Sequence, residues 1–165
     1  MPMLLLLAAA FTLISPAFRP GTALPRSGAQ ADCGGGASVS PPLRWRDPPP
    51  SARSYALVVD DPDAPVRGGF VHWVVYGIPE RTTALPAGAG GQANGYVAGV
   101  NSAGARRFTG YCPPPGDAPH AYRFTLYATD VTPEALPPAL TRDALLRALA
   151  GHVKGRAVLV GRYGQ

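Results

Sequence analysis

Two histidines and two aspartates of this chain stand where side chains could do chemistry. Asp61 and Asp63 belong to the run Asp60-Asp61-Pro62-Asp63-Ala64-Pro65, and His72 to Val71-His72-Trp73-Val74. His120 follows the stretch Gly110-Tyr111-Cys112-Pro113-Pro114-Pro115-Gly116-Asp117-Ala118-Pro119 and precedes Ala121-Tyr122. Each polar residue falls where an apolar run meets a stiff turn. Proline fixes φ and removes a donor, so a carboxylate held between Pro62 and Pro65 has little freedom to relax away from what it contacts. Two imidazoles and the backbone N–H of Gly110 can converge on an anion. A carboxylate behind one imidazole fixes its tautomer and favours its protonated, donor-rich form. Such a set suits a phosphate monoester or a phosphodiester head group, with Tyr122 supplying part of the apolar wall that small-ligand pockets have.

Each of these residues also has a plainer role. His72, on a strand beside Trp73, reads on its own as a hydrogen-bonded core histidine. Asp63 reads as an Asx-turn former between prolines. Asp61 reads as the group that orients a histidine or nearby backbone, because a carboxylate repels an anion unless a proton is shared. His152, just beyond a helix stop, reads as a cap on that helix's C-terminus.

The elements that must position these groups are mostly strands. Ser54 to Asp61 is a short, largely apolar run, and Phe70 to Ile78 is a β-branched and aromatic run bounded by Gly69 and Pro79. Strict alternation would put Phe70, His72, Val74 and Tyr76 on one face of the second strand and Val71, Trp73 and Val75 on the other. Both faces are apolar, which predicts a central strand covered on both sides. Residues 85–95, rich in Gly, Ala and Pro, read as a mobile connection. Ala121 to Asp130 alternates again, and Ala157 to Tyr163 reads as a last strand. Near the C-terminus Thr141 can cap a helix whose Leu145, Leu146 and Leu149 form an apolar stripe, stopped by Gly151. Many strands with a late helix predict a mainly β, antiparallel fold with a peripheral helix.

Composition sets the outer bounds. A chain of 165 residues that is 46% hydrophobic is one domain's worth and can bury a core. With 20 glycines and 20 prolines, short strands and turns are favoured over long helices. The net charge of +5 comes from dispersed arginines and the single Lys154, with no basic run longer than Arg106-Arg107, which argues against a nucleic-acid partner. Met3 to Phe11 is apolar and uncharged but shorter than the roughly 20 residues that span a bilayer, so no transmembrane anchor is expected. Leu4 to Leu7 followed by Ala8-Ala9-Ala10 fits a short secretory leader over residues 1–10, leaving 11–165 as a single domain; lacking a basic start, the segment also reads as an extended first strand or a misplaced start. Cys33 and Cys112 are expected to pair as a disulfide in an oxidising compartment, with two free thiols or metal ligation as alternatives. In the chain-entropy model closing so long a loop stabilises the fold by roughly 4 kcal/mol. Two cysteines without a Cys-x-x-Cys spacing make zinc a poor fit, and no metal or cofactor is expected.

In order, Phe11-Thr12-Leu13-Ile14-Ser15-Pro16-Ala17-Phe18, Ser40-Pro41-Pro42-Leu43-Arg44-Trp45, the Asp-Pro-Asp-Ala-Pro run, the His-Trp strand, the segment from Gly110 to Tyr122 and Gly151-His152-Val153 resemble the phosphatidylethanolamine-binding protein family, also called Raf kinase inhibitor-like. The resemblance runs from about Phe11 to Tyr163 and is closest to the family's small bacterial branch. It implies a two-sheet antiparallel β fold with a peripheral C-terminal helix, and a binding protein for a phosphate-headed small molecule or phospholipid head group. On its motifs the anion pocket falls at Asp61, His72, Gly110, His120 and Tyr122, shaped by Asp63, Pro65 and Pro113, with Ala64-Pro65 on a turn where a cis bond is common. It also implies cysteines at positions 33 and 112 and, often, a homodimer. The leader-like start and the cysteine pair point to a periplasmic or secreted location, with a cytoplasmic one as the alternative. An exported protein would have no access to cytoplasmic kinases.

One departure stands out. The family usually reads His-Arg-Tyr where this chain has His120-Ala121-Tyr122, with Arg123 following. Positions 121 and 123 share a strand face, so the guanidinium is displaced by about 7 Å along the strand. Arg123 replaces the missing charge only if it reaches back; otherwise the approach to His120 is looser and phosphate affinity weaker. The competing functional class is a hydrolase or esterase using a His-Asp acid–base pair in the same pocket, with Ser102 or Ser15 as nucleophile. Against it, the chain has no Gly-x-Ser-x-Gly elbow, no His-Glu-x-x-His helix and no Gly-x-x-x-x-Gly-Lys loop.

Overall fold

Eight strands and one α-helix are formed among the described residues. The structure is a computed structural model that describes residues 9–91 and 95–165; the leader expected at 1–10 falls almost entirely outside the described residues. In chain order the elements are β1 (Thr12–Ile14), β2 (Leu43–Arg46), β3 (Ser54–Asp61), β4 (Phe70–Pro79), β5 (Ala84–Leu85), β6 (Val97–Ala98), β7 (His120–Thr129), α1 (Arg142–Ala148) and β8 (Val153–Tyr163). They form a three-stranded sheet ordered β1-β2-β5 and a five-stranded sheet ordered β6-β4-β3-β7-β8, with every pairing antiparallel. This is the mainly β, two-sheet architecture with a helix near the C-terminus that the sequence predicted.

The large sheet is covered on both faces, as its apolar strands require. On one face Leu57, Val59, Trp73, Phe124, Leu126 and Leu159 pack against Leu13, Leu43 and Trp45 of the small sheet. On the other, Ala56, Val58, Val71, Val74 and Tyr76 pack against Leu145 and Leu149 of α1. Every residue of β3 is buried, so this strand rather than β4 is the most enclosed. The Thr141 hydroxyl accepts from the Ala144 N–H at 3.3 Å, the N-cap its sequence position suggested.

The alternation expected along β4 does not hold. Val59 pairs with Trp73 and Asp60 with Val71, so one step along β3 matches two along β4, and His72 is the extra residue of a β-bulge. A second offset falls between Tyr55↔Ile78 and Leu57↔Val75, beside Gly77 at φ +66°. A Cβ at position 77 would lie 2.7 Å from the Pro133 carbonyl oxygen, so glycine is required there both by φ and by the close approach. In consequence His72 and Trp73 point to the same side, toward Tyr111, Tyr122 and Phe108, while Val71, Val74 and Tyr76 turn to α1.

Smaller differences have equally local causes. The run read as a mobile connection begins with the last residue of β5, Leu85, and contains a 3₁₀ turn at Ala89–Gly91 whose Ala89 and Gly90 are buried, because Gly90 packs directly on Phe108 and Ser40; residues 92–94 lie outside the described residues. His152 closes the end of α1 through its backbone N–H to Leu149, at 2.9 Å, whereas its imidazole turns to Asp130, at 2.7 Å. Strand β8 begins at Val153, four residues earlier than expected. Ala64–Pro65 is trans, as are all described peptide bonds. Cys33 and Cys112 form a disulfide across 79 positions, with Cα atoms 5.0 Å apart. No helix among the described residues is long and apolar enough to cross a membrane.

Candidate functional site

The predicted polar residues meet at one end of the large sheet, where β3 finishes, β4 begins and β7 begins. Asp61 is the last residue of β3, His72 sits on the β4 bulge, and His120 and Tyr122 share a face at the start of β7. Between them lies a cavity of about 210 Å³ whose wall includes Asp61, Pro65, His72, Pro113, His120 and Tyr122. Gln30, from the turn before Cys33, and Phe70 complete its polar and apolar sides.

Asp61 is nearly fully buried and makes two bonds that fix its neighbours. Its Oδ2 accepts from His120 Nδ1 at 2.7 Å, and its Oδ1 accepts from the Asp63 N–H at 2.9 Å. The role read for it, orienting a histidine and adjacent backbone, describes both contacts. With Nδ1–H committed to Asp61, the other ring nitrogen of His120, Nε2, approaches Asp117 Oδ2 at 3.3 Å. Burial alone would lower the pKa of His120. Hydrogen bonds to Asp61 and Asp117, with the charges of Asp61 and Asp63, outweigh that and raise it, so the imidazolium with two N–H donors is favoured.

His72 has the opposite character. Its Nδ1 lies 2.7 Å from the Thr109 carbonyl oxygen, which can only accept, so this nitrogen carries the proton. Burial pushes its pKa down, against smaller upward effects of the Thr109 and Gly110 carbonyls and of Asp61 and Asp60. His72 is therefore a neutral imidazole whose Nε2 is an acceptor, not the donor expected from sequence. Tyr122 adds a hydroxyl that is buried and makes no full hydrogen bond among the described residues; burial, then the nearby Asp61 charge, keeps it protonated.

Gly110 does not offer its N–H to the cavity. That N–H points to Ser38 Oγ at 3.3 Å, and its carbonyl accepts from Gln30 Nε2 at 3.0 Å. A Cβ there would stand 2.6 Å from the Gly28 carbonyl oxygen, so the glycine serves close packing of the wall rather than anion donation. Asp63 braces the opposite side, its Oδ2 accepting from the Ala121 N–H at 2.8 Å. This backbone contact holds the start of β7 without a side chain at position 121. Arg123 does not reach back to the cavity: it forms a two-pronged pair with Asp60, Nε to Oδ1 at 3.0 Å and Nη2 to Oδ2 at 2.7 Å. Arg142 adds a third contact to Asp60 Oδ2 at 3.4 Å.

Three residues missed from sequence support the site. Gln30 carries no local pattern that would single it out. Asn101 is buried and donates to the His72 carbonyl at 3.0 Å while its own carbonyl accepts from Ala103 and Ala105, tying the bulge to the following loop. Asp117 appeared only as part of a turn. The hydroxyls named for a hydrolase lie elsewhere: Ser102 Oγ accepts from the Val71 N–H at 2.8 Å, and Ser15 Oγ donates to the Pro42 carbonyl at 2.7 Å. Cys112, on the cavity wall, is held in the disulfide.

Comparison with known proteins gives consistent matches. A family model described as phosphatidylethanolamine-binding protein matches residues 14–164. A UPF0098 protein of Chlamydia muridarum is 41% identical over 159 residues, covering 93% of this chain and 98% of that protein. A Mycobacterium tuberculosis protein, LppC, named as a proposed lipoprotein, is 43% identical over 157 residues, covering 92% of this chain and 71% of its own length. The crystal structure of Escherichia coli YbcL, described as a new member of the mammalian PEBP family, matches with a TM-score of 0.86 at 32% identity, covering 95% of this chain and 99% of YbcL.

Proposed function

This chain belongs to the phosphatidylethanolamine-binding protein family, and on that premise we propose that the cavity between β3, β4 and β7 binds the phosphoryl group of a small molecule or phospholipid head group. The observation that carries the reading is the pairing of unlike histidines: His120 presents a cationic N–H fixed by Asp61, and His72 presents a neutral acceptor fixed by Thr109. A partly protonated phosphate needs both kinds of partner, an N⁺–H for its anionic oxygen and an acceptor for its own P–OH. The Tyr122 hydroxyl, buried beside Asp61 and the Cys112 backbone without a hydrogen bond of full geometry, supplies a further donor on the cavity wall.

Calorimetric titration with inorganic phosphate, phosphoethanolamine and ethanolamine tests this. Binding of the two phosphates but not of ethanolamine is expected, with affinity reduced by about tenfold or more in His120→Ala, the loss typical of a charge-assisted hydrogen bond. Equal affinity in folded His120→Ala would overturn the reading.

We place the protein outside the cytoplasm. The Cys33–Cys112 disulfide supports this, since such bonds persist in oxidising compartments, as does the lipoprotein name of the mycobacterial relative.

A further inference from the structure

The nitrogen through which His120 would meet a ligand is already engaged. Asp61 fixes Nδ1 at 2.7 Å, so only Nε2 can serve the cavity, and Nε2 lies 3.3 Å from Asp117 Oδ2. Asp117 is not itself part of the cavity wall, and its side chain is half exposed, at 51%. It comes from the turn between Pro113 and Pro119, three residues before His120 in sequence.

We propose that Asp117 is a tethered competitor, whose carboxylate holds the His120 Nε2 position that a phosphoryl oxygen would take, so that an anion binds only by displacing it. This deepens the phosphoryl reading above and rests on it.

Three features separate a displaceable contact from a structural brace. The Asp117 contact is longer than the Asp61 contact to the same ring, 3.3 Å against 2.7 Å. Asp61 is buried and bonded at both oxygens, whereas Asp117 makes one backbone contact of its own, its N–H to the Pro114 carbonyl at 3.3 Å. The preceding Gly116, at φ +86°, has nothing within 4 Å of where a Cβ would stand, so the turn has room to swing outward. A carboxylate tethered three residues from its partner competes at high effective concentration, so even a weak intramolecular contact lowers the apparent affinity of a free anion. Its charge also adds to those of Asp61 and Asp63 beside His120, which disfavours a doubly charged ligand.

The test compares the oxidised wild-type protein with Asp117→Ala and Asp117→Glu, using inorganic phosphate as the titrant and the His120 imidazole resonances as a ligand-free readout. Asp117→Ala is expected to bind phosphate about fivefold more tightly, the upper end for a partly exposed ion pair, and to lower the pKa of His120; Asp117→Glu should return both toward wild type. Unchanged or weaker phosphate binding by Asp117→Ala, with wild-type binding intact, overturns the competition alone. An unchanged His120 titration overturns the contact on which it depends. Phosphate binding absent from wild type and variants alike overturns the phosphoryl reading and the competition with it.

Discussion

Asp60 and Asp61 are consecutive residues at the end of β3, both buried, and they face opposite sides of the same sheet. Asp60 turns toward Arg123 and Arg142, two guanidinium groups that stay charged at any physiological pH. Asp61 turns toward His120, whose charge can be removed. The residue type and strand are the same; the partner decides the outcome. On the arginine side the sheet gains a permanent clamp between β3, β7 and α1. On the histidine side it gains a group whose donor count changes with its protonation.

The largest expected effect breaks the clamp. Asp60→Ala leaves Arg123 and Arg142 without their shared carboxylate. Because both guanidinium groups are partly exposed, the loss is expected to be about 1–2 kcal/mol rather than that of a fully buried pair. Chemical denaturation should show this fall in stability while phosphate affinity stays within about twofold, because Asp60 points away from the cavity. Equal damage to binding would mean that the two sides are not independent.

Asp61→Asn sharpens the contrast from the other side. The amide keeps the shape but removes the charge that helps hold His120 protonated, so phosphate affinity is expected to fall by about tenfold with a smaller change in stability. A variant that loses stability and keeps affinity would assign Asp61 to the fold rather than to the site.

The smallest effect is read in the histidines themselves. Site-resolved NMR titration of the free protein should find His120 titrating above the ordinary histidine value of about 6.5 and His72 below it. The signs for stability are opposite. His120 contributes stability that is fully present below its unfolded pKa and lost as pH rises through its raised folded value. His72 is disfavoured as a cation, so its contribution is present above the unfolded value and lost as pH falls through its lowered folded value. Two histidines titrating together would refute the division of roles.

Much of the framework was legible from local signals. The limits of β3, the Thr141 cap and the pairing of Cys33 with Cys112 follow from apolar runs, capping chemistry and cysteine count. The facing of His72 was not, because counting by twos along Val71-His72-Trp73 cannot see a residue that the partner strand leaves unmatched. Gly77 did carry a signal, since glycine inside an apolar strand often marks a bulge, but nothing of the kind flags position 72. The Gly110 N–H was misassigned for a different reason: its acceptor, Ser38, lies 72 residues away, and no local pattern connects them. The same holds for Gln30 and Asn101, whose roles depend on loops brought together only by the sheets.

The bulge at His72 gives one strand two reading frames. Before it, Phe70 and His72 belong to the cavity; after it, Trp73 and Val75 belong to the packing between the sheets. One unmatched residue therefore works as a seam: a substitution at Phe70 would alter the cavity wall, whereas one at Trp73 or Val75 would alter the layer between the sheets.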